Sequence, residues 1–168
     1  MKKKILILYS TKNGATKDSA ILISKLLQEE YSLVSDVLDA NNFNKKNDLS
    51  RYILIVIGTG IRMGRWYGKA SKLLKFFDKN PDKNHSFAIF VSSGRAGHAF
   101  IEKNQEDYNN YFEKYIEQKL LKFPNIKPIL AKKAFGGWKI KNGEKWNNTW
   151  NKKNIQEWAR EIGNYLKE

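Results

Sequence analysis

A chain of 168 residues with 41% hydrophobic residues is long enough for one domain with a sizeable core. It has no cysteine, which excludes disulfides, thiolate metal sites and cysteine nucleophiles. The net charge of +14, from 31 Lys and Arg against 17 Asp and Glu, suits an anionic partner such as nucleic acid, acidic lipid or an acidic redox protein. The lysines are nevertheless scattered through every segment, which points to composition for most of the charge. No RNP, helix-turn-helix or zinc-finger pattern accompanies them, which argues against nucleic acid. The first apolar run is too short for a signal peptide and nothing approaches transmembrane length, so the sequence predicts a cytoplasmic protein.

Ile5-Leu6-Ile7-Leu8-Tyr9 is the kind of unbroken apolar run that a strand buried on both faces needs. The polar link from Ser10 to Thr16 leads into a helix that reaches to about Tyr31, with Ile23, Leu26 and Leu27 at helical spacing. A buried strand, a hydroxyl-rich turn and a helix N-terminus together make an anion site. Backbone N–H groups converge there and the helix dipole adds positive potential. The first inference is a phosphate-binding βα turn; the alternative is a plain helix cap by Asn13 or Thr16. The turn has neither the G-x-x-x-x-G-K-[ST] nor the G-x-G-x-x-G pattern.

Residues 32–38 read as a second strand, followed by a polar linker over 39–50. The clearest strand is Tyr52-Ile53-Leu54-Ile55-Val56-Ile57-Gly58, which should be central. A helix over 69–78 places Leu73, Leu74 and Phe77 on one face, and 86–92 gives a fourth strand. A helix over 104–122 carries Tyr108, Tyr111, Phe112, Tyr115 and Ile116 on one face. Pro124 and Pro128 break that pattern before a fifth strand over 129–135. A last helix over 153–166 turns Ile155, Trp158, Ala159, Ile162 and Tyr165 inward. Alternation of this kind specifies an α/β fold, a doubly wound parallel sheet in three layers, in a single domain over 1–168. In such a sheet, ligands bind where the strand order reverses, at the carboxyl ends of strands one, three and four.

Two further loops should therefore join the first. After the central strand come Thr59, Gly60, Ile61, Arg62, Met63, Gly64, Arg65, Trp66 and Tyr67. Glycines allow the backbone close to a flat ligand, Trp66 and Tyr67 offer ring faces, and Arg62 is a planar cation. The alternative is a glycine-rich loop with Trp66 capping the core. Ser92, Ser93, Gly94, Arg95, Ala96, Gly97 and His98 follow the fourth strand as a turn rich in small donors. His98 is either a proton carrier or a surface residue. Residues 138–150 interleave three tryptophans with lysines, which suits an anionic membrane surface or an aromatic substrate. The alternative is a β-hairpin flap turning at Asn142-Gly143.

The pattern Thr11-x-Asn13-Gly14-x-Thr16 resembles the phosphate loop of flavodoxins. Ile57-Gly58-x-x-Ile61-Arg62-x-Gly64 and Phe135-Gly136-Gly137 look like the flavodoxin relatives typified by menaquinone-dependent protoporphyrinogen IX dehydrogenase, and the similarity spans most of the chain. The resemblance implies a flavodoxin-like five-stranded sheet of order 2-1-3-4-5 with FMN as cofactor. It places the phosphate on Ser10, Thr11, Lys12, Asn13, Gly14, Ala15 and Thr16. The ring would lie against Thr59, Gly60, Ile61, Arg62, Gly64 and Trp66, and against Ser92, Ser93, Gly94 and Arg95. It further implies electron or hydride transfer, either to a planar substrate such as a porphyrinogen or quinone or to a redox partner protein. Asn13 stands where most flavodoxins carry a hydroxyl, and the long hydrophobic insertion of the dehydrogenases after strand five is absent. Outside this class stands a flavin-free basic binding or regulatory module, although strand one lacks the acidic pair of a receiver domain.

Overall fold

The computed structural model describes residues 2–167. Its elements in chain order begin with β1 (Lys4–Ser10), α1 (Ala15–Tyr31), β2 (Ser35–Asp39), β3 (Tyr52–Arg62) and β4 (Arg65–Trp66). Next come α2 (Gly68–Lys79), β5 (Ser86–Ser92), α3 (Gly94–Ile101) and α4 (Gln105–Phe112). A π-helical turn (Glu113–Glu117), α5 (Gln118–Leu120), β6 (Ile129–Phe135), β7 (Lys139–Lys141), β8 (Glu144–Trp146) and α6 (Lys152–Lys167) complete the chain. Five parallel strands run in the order β2-β1-β3-β5-β6, with short β4 folded back on β3. Discounting β4, this is the expected 2-1-3-4-5.

The apolar runs explain the layers. Successive residues of a strand point to opposite faces, so β1 sends Leu6 and Leu8 to one side and Ile5 and Ile7 to the other. Leu6 and Leu8 join Ile55, Ile57, Ile89 and Val91 beneath Leu73, Leu74 and Phe77 of α2 and Ile116 of the π-turn. Ile5 and Ile7 join Leu54, Val56 and Phe90 beneath Ile23 and Leu27 of α1 and Trp158 and Ile162 of α6. The sheet is thus covered on both faces, the arrangement a parallel sheet requires.

Four expectations are corrected. Ser32 ends α1 in a left-handed conformation (φ 54°), so β2 starts at Ser35 instead of residue 32. Residues 94–98 form the first turns of α3 and not a loop, because the Ser93 hydroxyl accepts the Ala96 N–H at 3.2 Å and caps a helix there. The helix expected over 104–122 is interrupted by the π-turn. Tyr165 is exposed, so α6 buries Ile155, Trp158, Ala159 and Ile162 but not that ring.

Candidate functional site

The register brings the three expected loops together. Ser10 at the end of β1 pairs with Thr59 of β3, Gly60 pairs with Ser92 at the end of β5, and Ser92 pairs with Phe135 at the end of β6. The chain leaves β1 for α1 on one face and leaves β3 for α2 on the other, so a crevice opens between them. That crevice is a cleft of about 1240 Å³, larger than the roughly 300–1,000 Å³ of ordinary small-ligand pockets.

The first wall is the turn before α1. Gly14 is the N-cap residue at φ 95°, a left-handed conformation in which a side chain is strained. Its N–H donates to the Thr11 hydroxyl at 3.0 Å, closing the turn. No side chain caps α1, which overturns the plain-cap alternative for Asn13 and Thr16; uncapped first-turn amides are the kind of donors an anion can use. Thr11, Lys12, Asn13, Ala15 and Thr16 line the cleft here.

Asn13 has a second role beside its place in the lining. Its carbonyl accepts the Trp138 indole N–H at 2.7 Å and its side-chain oxygen accepts the Ile140 N–H at 3.3 Å. The residue thereby ties the β7–β8 hairpin, which turns at Asn142–Gly143 as expected, to the phosphate turn. Asn13→Ala is expected to loosen this tie by about 1 kcal/mol, seen as a roughly fivefold faster amide exchange at Ile140. Asn13→Asp, which keeps the acceptor, is expected to retain most of the protection.

The second wall comes from β3 and the turn to β4. Gly60, Ile61, Arg62, Met63, Gly64 and Tyr67 line the cleft. Burial raises the Tyr67 hydroxyl above its ordinary value, with Arg62 opposing, so it stays a neutral donor. Trp66 does not reach the cleft. It is buried in the core beside α2, and its indole donates to the Tyr115 carbonyl at 2.7 Å. Thr59 is fully buried, its hydroxyl donating to the Gly60 carbonyl at 2.8 Å and accepting the Tyr67 N–H at 3.3 Å. Thr59 therefore shapes the loop from behind, and Ser10 and Gly14 likewise lie outside the lining.

The floor is formed by Ser92, Ser93, Gly94 and Arg95, with exposed His98 farther along α3. The Ser92 hydroxyl is buried and has no hydrogen-bond partner within the protein, a costly state unless a ligand satisfies it. A fourth wall was not foreseen. Tyr111, Lys114 and Tyr115 close the cleft, the two tyrosine rings stacked at 5.9 Å and 12°. Their helical spacing reads as an ordinary core face, and only the π-turn, of a kind frequent at functional sites, marks them out. Five cations (Lys12, Arg62, Arg95, Lys114 and Lys139) face two carboxylates (Glu102 and Asp107), so the cleft favours an anion.

Solved structures carry the same fold at low identity. Oxidised Flavodoxin 1 from Bacillus cereus is 14% identical, with TM-score 0.66 over 98% of this chain and 99% of that one. A flavodoxin from the domain Archaea is 15% identical, with TM-score 0.64 over 98% and 99%. Rubredoxin oxygen:oxidoreductase from Desulfovibrio gigas is 14% identical, with TM-score 0.66 over 99% of this chain, which spans only 37% of that longer one. No curated protein matches the chain. A family model described as Flavodoxin domain matches residues 6–139, a stretch that includes most of β1, all of β3 and all four sides of the cleft. This protein belongs to the flavodoxin domain family.

Proposed function

We propose that the cleft binds FMN and that the protein transfers electrons through it. The observation that carries this reading is the uncapped N-terminus of α1 opening into the same cleft as the buried, unpartnered Ser92 hydroxyl. Thr11, Thr16 and the first-turn amides fit a phosphate, and Ser92 with the backbone of Gly60, Ile61 and Gly94 fits the polar edge of a flat ring. FMN supplies the redox chemistry when bound. The protein binds and orients it, and the positive potential of Arg62 and Arg95 favours negative charge in the site. The flavodoxins and the rubredoxin oxygen:oxidoreductase that share the fold are consistent with this role. Purified protein is expected to show flavin absorption bands and to release FMN on denaturation. Colourless protein that takes up no added FMN would overturn the proposal.

The finer reading is an oxidoreductase acting on a planar substrate, a porphyrinogen or a quinone, beside the flavin. Its support is the size of the cleft and the stacked Tyr111–Tyr115 wall. Turnover of protoporphyrinogen with a quinone acceptor tests it, and flavin-loaded protein inert with both would leave the electron-carrier role. Among the described residues no helix is long and apolar enough to cross a membrane.

A further inference from the structure

Two short hairpins border the mouth of the cleft, and their turns project from the core. The β3–β4 turn brings Arg62, Met63 and Gly64 to the lining, and the β7–β8 hairpin brings Lys139 and Ile140. Both turns have positive φ at their two central residues: 51° and 75° at Met63–Gly64, 52° and 76° at Asn142–Gly143. That is the signature of the type I′ turn, whose twist matches its strands. The second hairpin is also fastened at its base, through Trp138 and Ile140 to Asn13.

These braced hairpins hold apolar side chains out in solvent. Met63 is 92% exposed, Trp146 51% and Ile140 45%. Around them stand Arg62, Arg65, Lys139, Lys141 and Lys145, against Glu144 alone. The Lys141 ammonium lies 5.1 Å from the centre of the Trp146 ring and that of Lys145 lies 3.9 Å from Trp138, so the cations are held over the aromatic surface. Exposed Trp and Met with Arg are the residue types that concentrate in protein interfaces, and a predominantly basic rim steers an acidic partner.

We infer that the two hairpins form a docking face for an acidic protein surface, which they place over the cleft. This partner assignment deepens the flavin reading and rests on it for its purpose, although the face itself exists without the cofactor. Met63 stands on one hairpin, and Ile140 and Trp146 stand on opposite faces of the other, so the apolar side chains flank the rim of a concave cleft without forming one flat patch. A protruding protein surface fills that shape and a planar bilayer does not. With so few anchors the contact belongs to the small, transient class below about 1,200 Å², and because its rim is charged it weakens with salt.

The test is a titration of the purified full chain with a small acidic [2Fe–2S] ferredoxin as probe, at about 0.01 M and about 0.15 M ionic strength. Flavin content is recorded in parallel. Three proteins are compared: wild type, K141Q/K145Q/W146S, and the control K45Q/K46Q, which removes the same charge away from the hairpins. Saturable binding that weakens with salt, and weakens at least tenfold in the hairpin variant but less than threefold in the control, is the expected result. Absence of binding, or an equal loss in the control, overturns the docking face. Binding to phosphatidylserine vesicles without binding to the ferredoxin overturns it in favour of a lipid surface. Protein that binds the probe but carries no flavin and takes up no added FMN would refute the FMN reading and keep the face; yellow protein that ignores the probe would do the reverse.

Discussion

Replacing Trp158 by alanine is expected to cost about 3–5 kcal/mol of folding stability, read as a lower denaturation midpoint and a fall in Tm on the order of 10 °C. The side chain is 2% exposed and packs edge-on against Phe90 and Phe135, with ring centres 5.8 and 5.6 Å away. Removing it opens a cavity between α6 and the sheet. The indole N–H has no partner in that interior, so the ring contributes by packing and not by a hydrogen bond. Trp158→Phe keeps most of the packing and removes an unsatisfied donor, and is therefore expected to cost less than about 1.5 kcal/mol. A phenylalanine variant as damaged as the alanine variant would show that the N–H is satisfied in solution, by an internal water.

Gly136→Ala is the second large effect. A Cβ built on Gly136 would lie 2.0 Å from the Thr149 carbonyl oxygen and 2.6 Å from its carbon. The obstacle is backbone, which cannot swing aside as a side-chain tip can. The same crossing carries the Thr149 N–H to the Gly137 carbonyl at 2.8 Å and the Gly137 N–H to the Thr149 hydroxyl at 3.2 Å. Overpacking here is expected to reach the upper end of the usual range, about 3 kcal/mol. It should also unseat the hairpin, because the strap from residue 136 to residue 149 is its base. The measurement is chemical denaturation together with amide exchange at Ile140. Unchanged stability with fast exchange would place the crossing outside the cooperative fold.

Much of this architecture is legible in the residues, for physical reasons. Ile5 to Tyr9, Tyr52 to Ile57 and Phe87 to Val91 are apolar without alternation, which only a strand covered on both faces tolerates. The phosphate turn is legible because an anion site needs a local conformation and Gly14 supplies it. What escaped depends on partners distant in sequence. Trp66 could stack on a ligand or cap the core, and that choice is decided by the Tyr115 carbonyl 49 residues away. Nothing near Tyr111 or Lys114 marks their helix as a wall of the cleft. The second role of Asn13, accepting the Ile140 N–H, depends on a residue 127 positions further on. Ser93 was missed as a cap for a local reason: Gly94 and Gly97 disguised a short helix as a turn.

α6 is the last element of the described fold, and it closes a face laid down much earlier. Its Ile155, Trp158, Ala159 and Ile162 cover Ile23, Leu27, Phe90 and Phe135. During synthesis the phosphate turn and α1 emerge before it, but the part of the sheet beneath these residues stays open until the sixteen residues of α6 have left the ribosome. Ribosomal stalling before Lys152 therefore releases a chain that displays the apolar part of the sheet that α6 would cover. Such a chain is a client for chaperones and a seed for aggregation, not a smaller working protein.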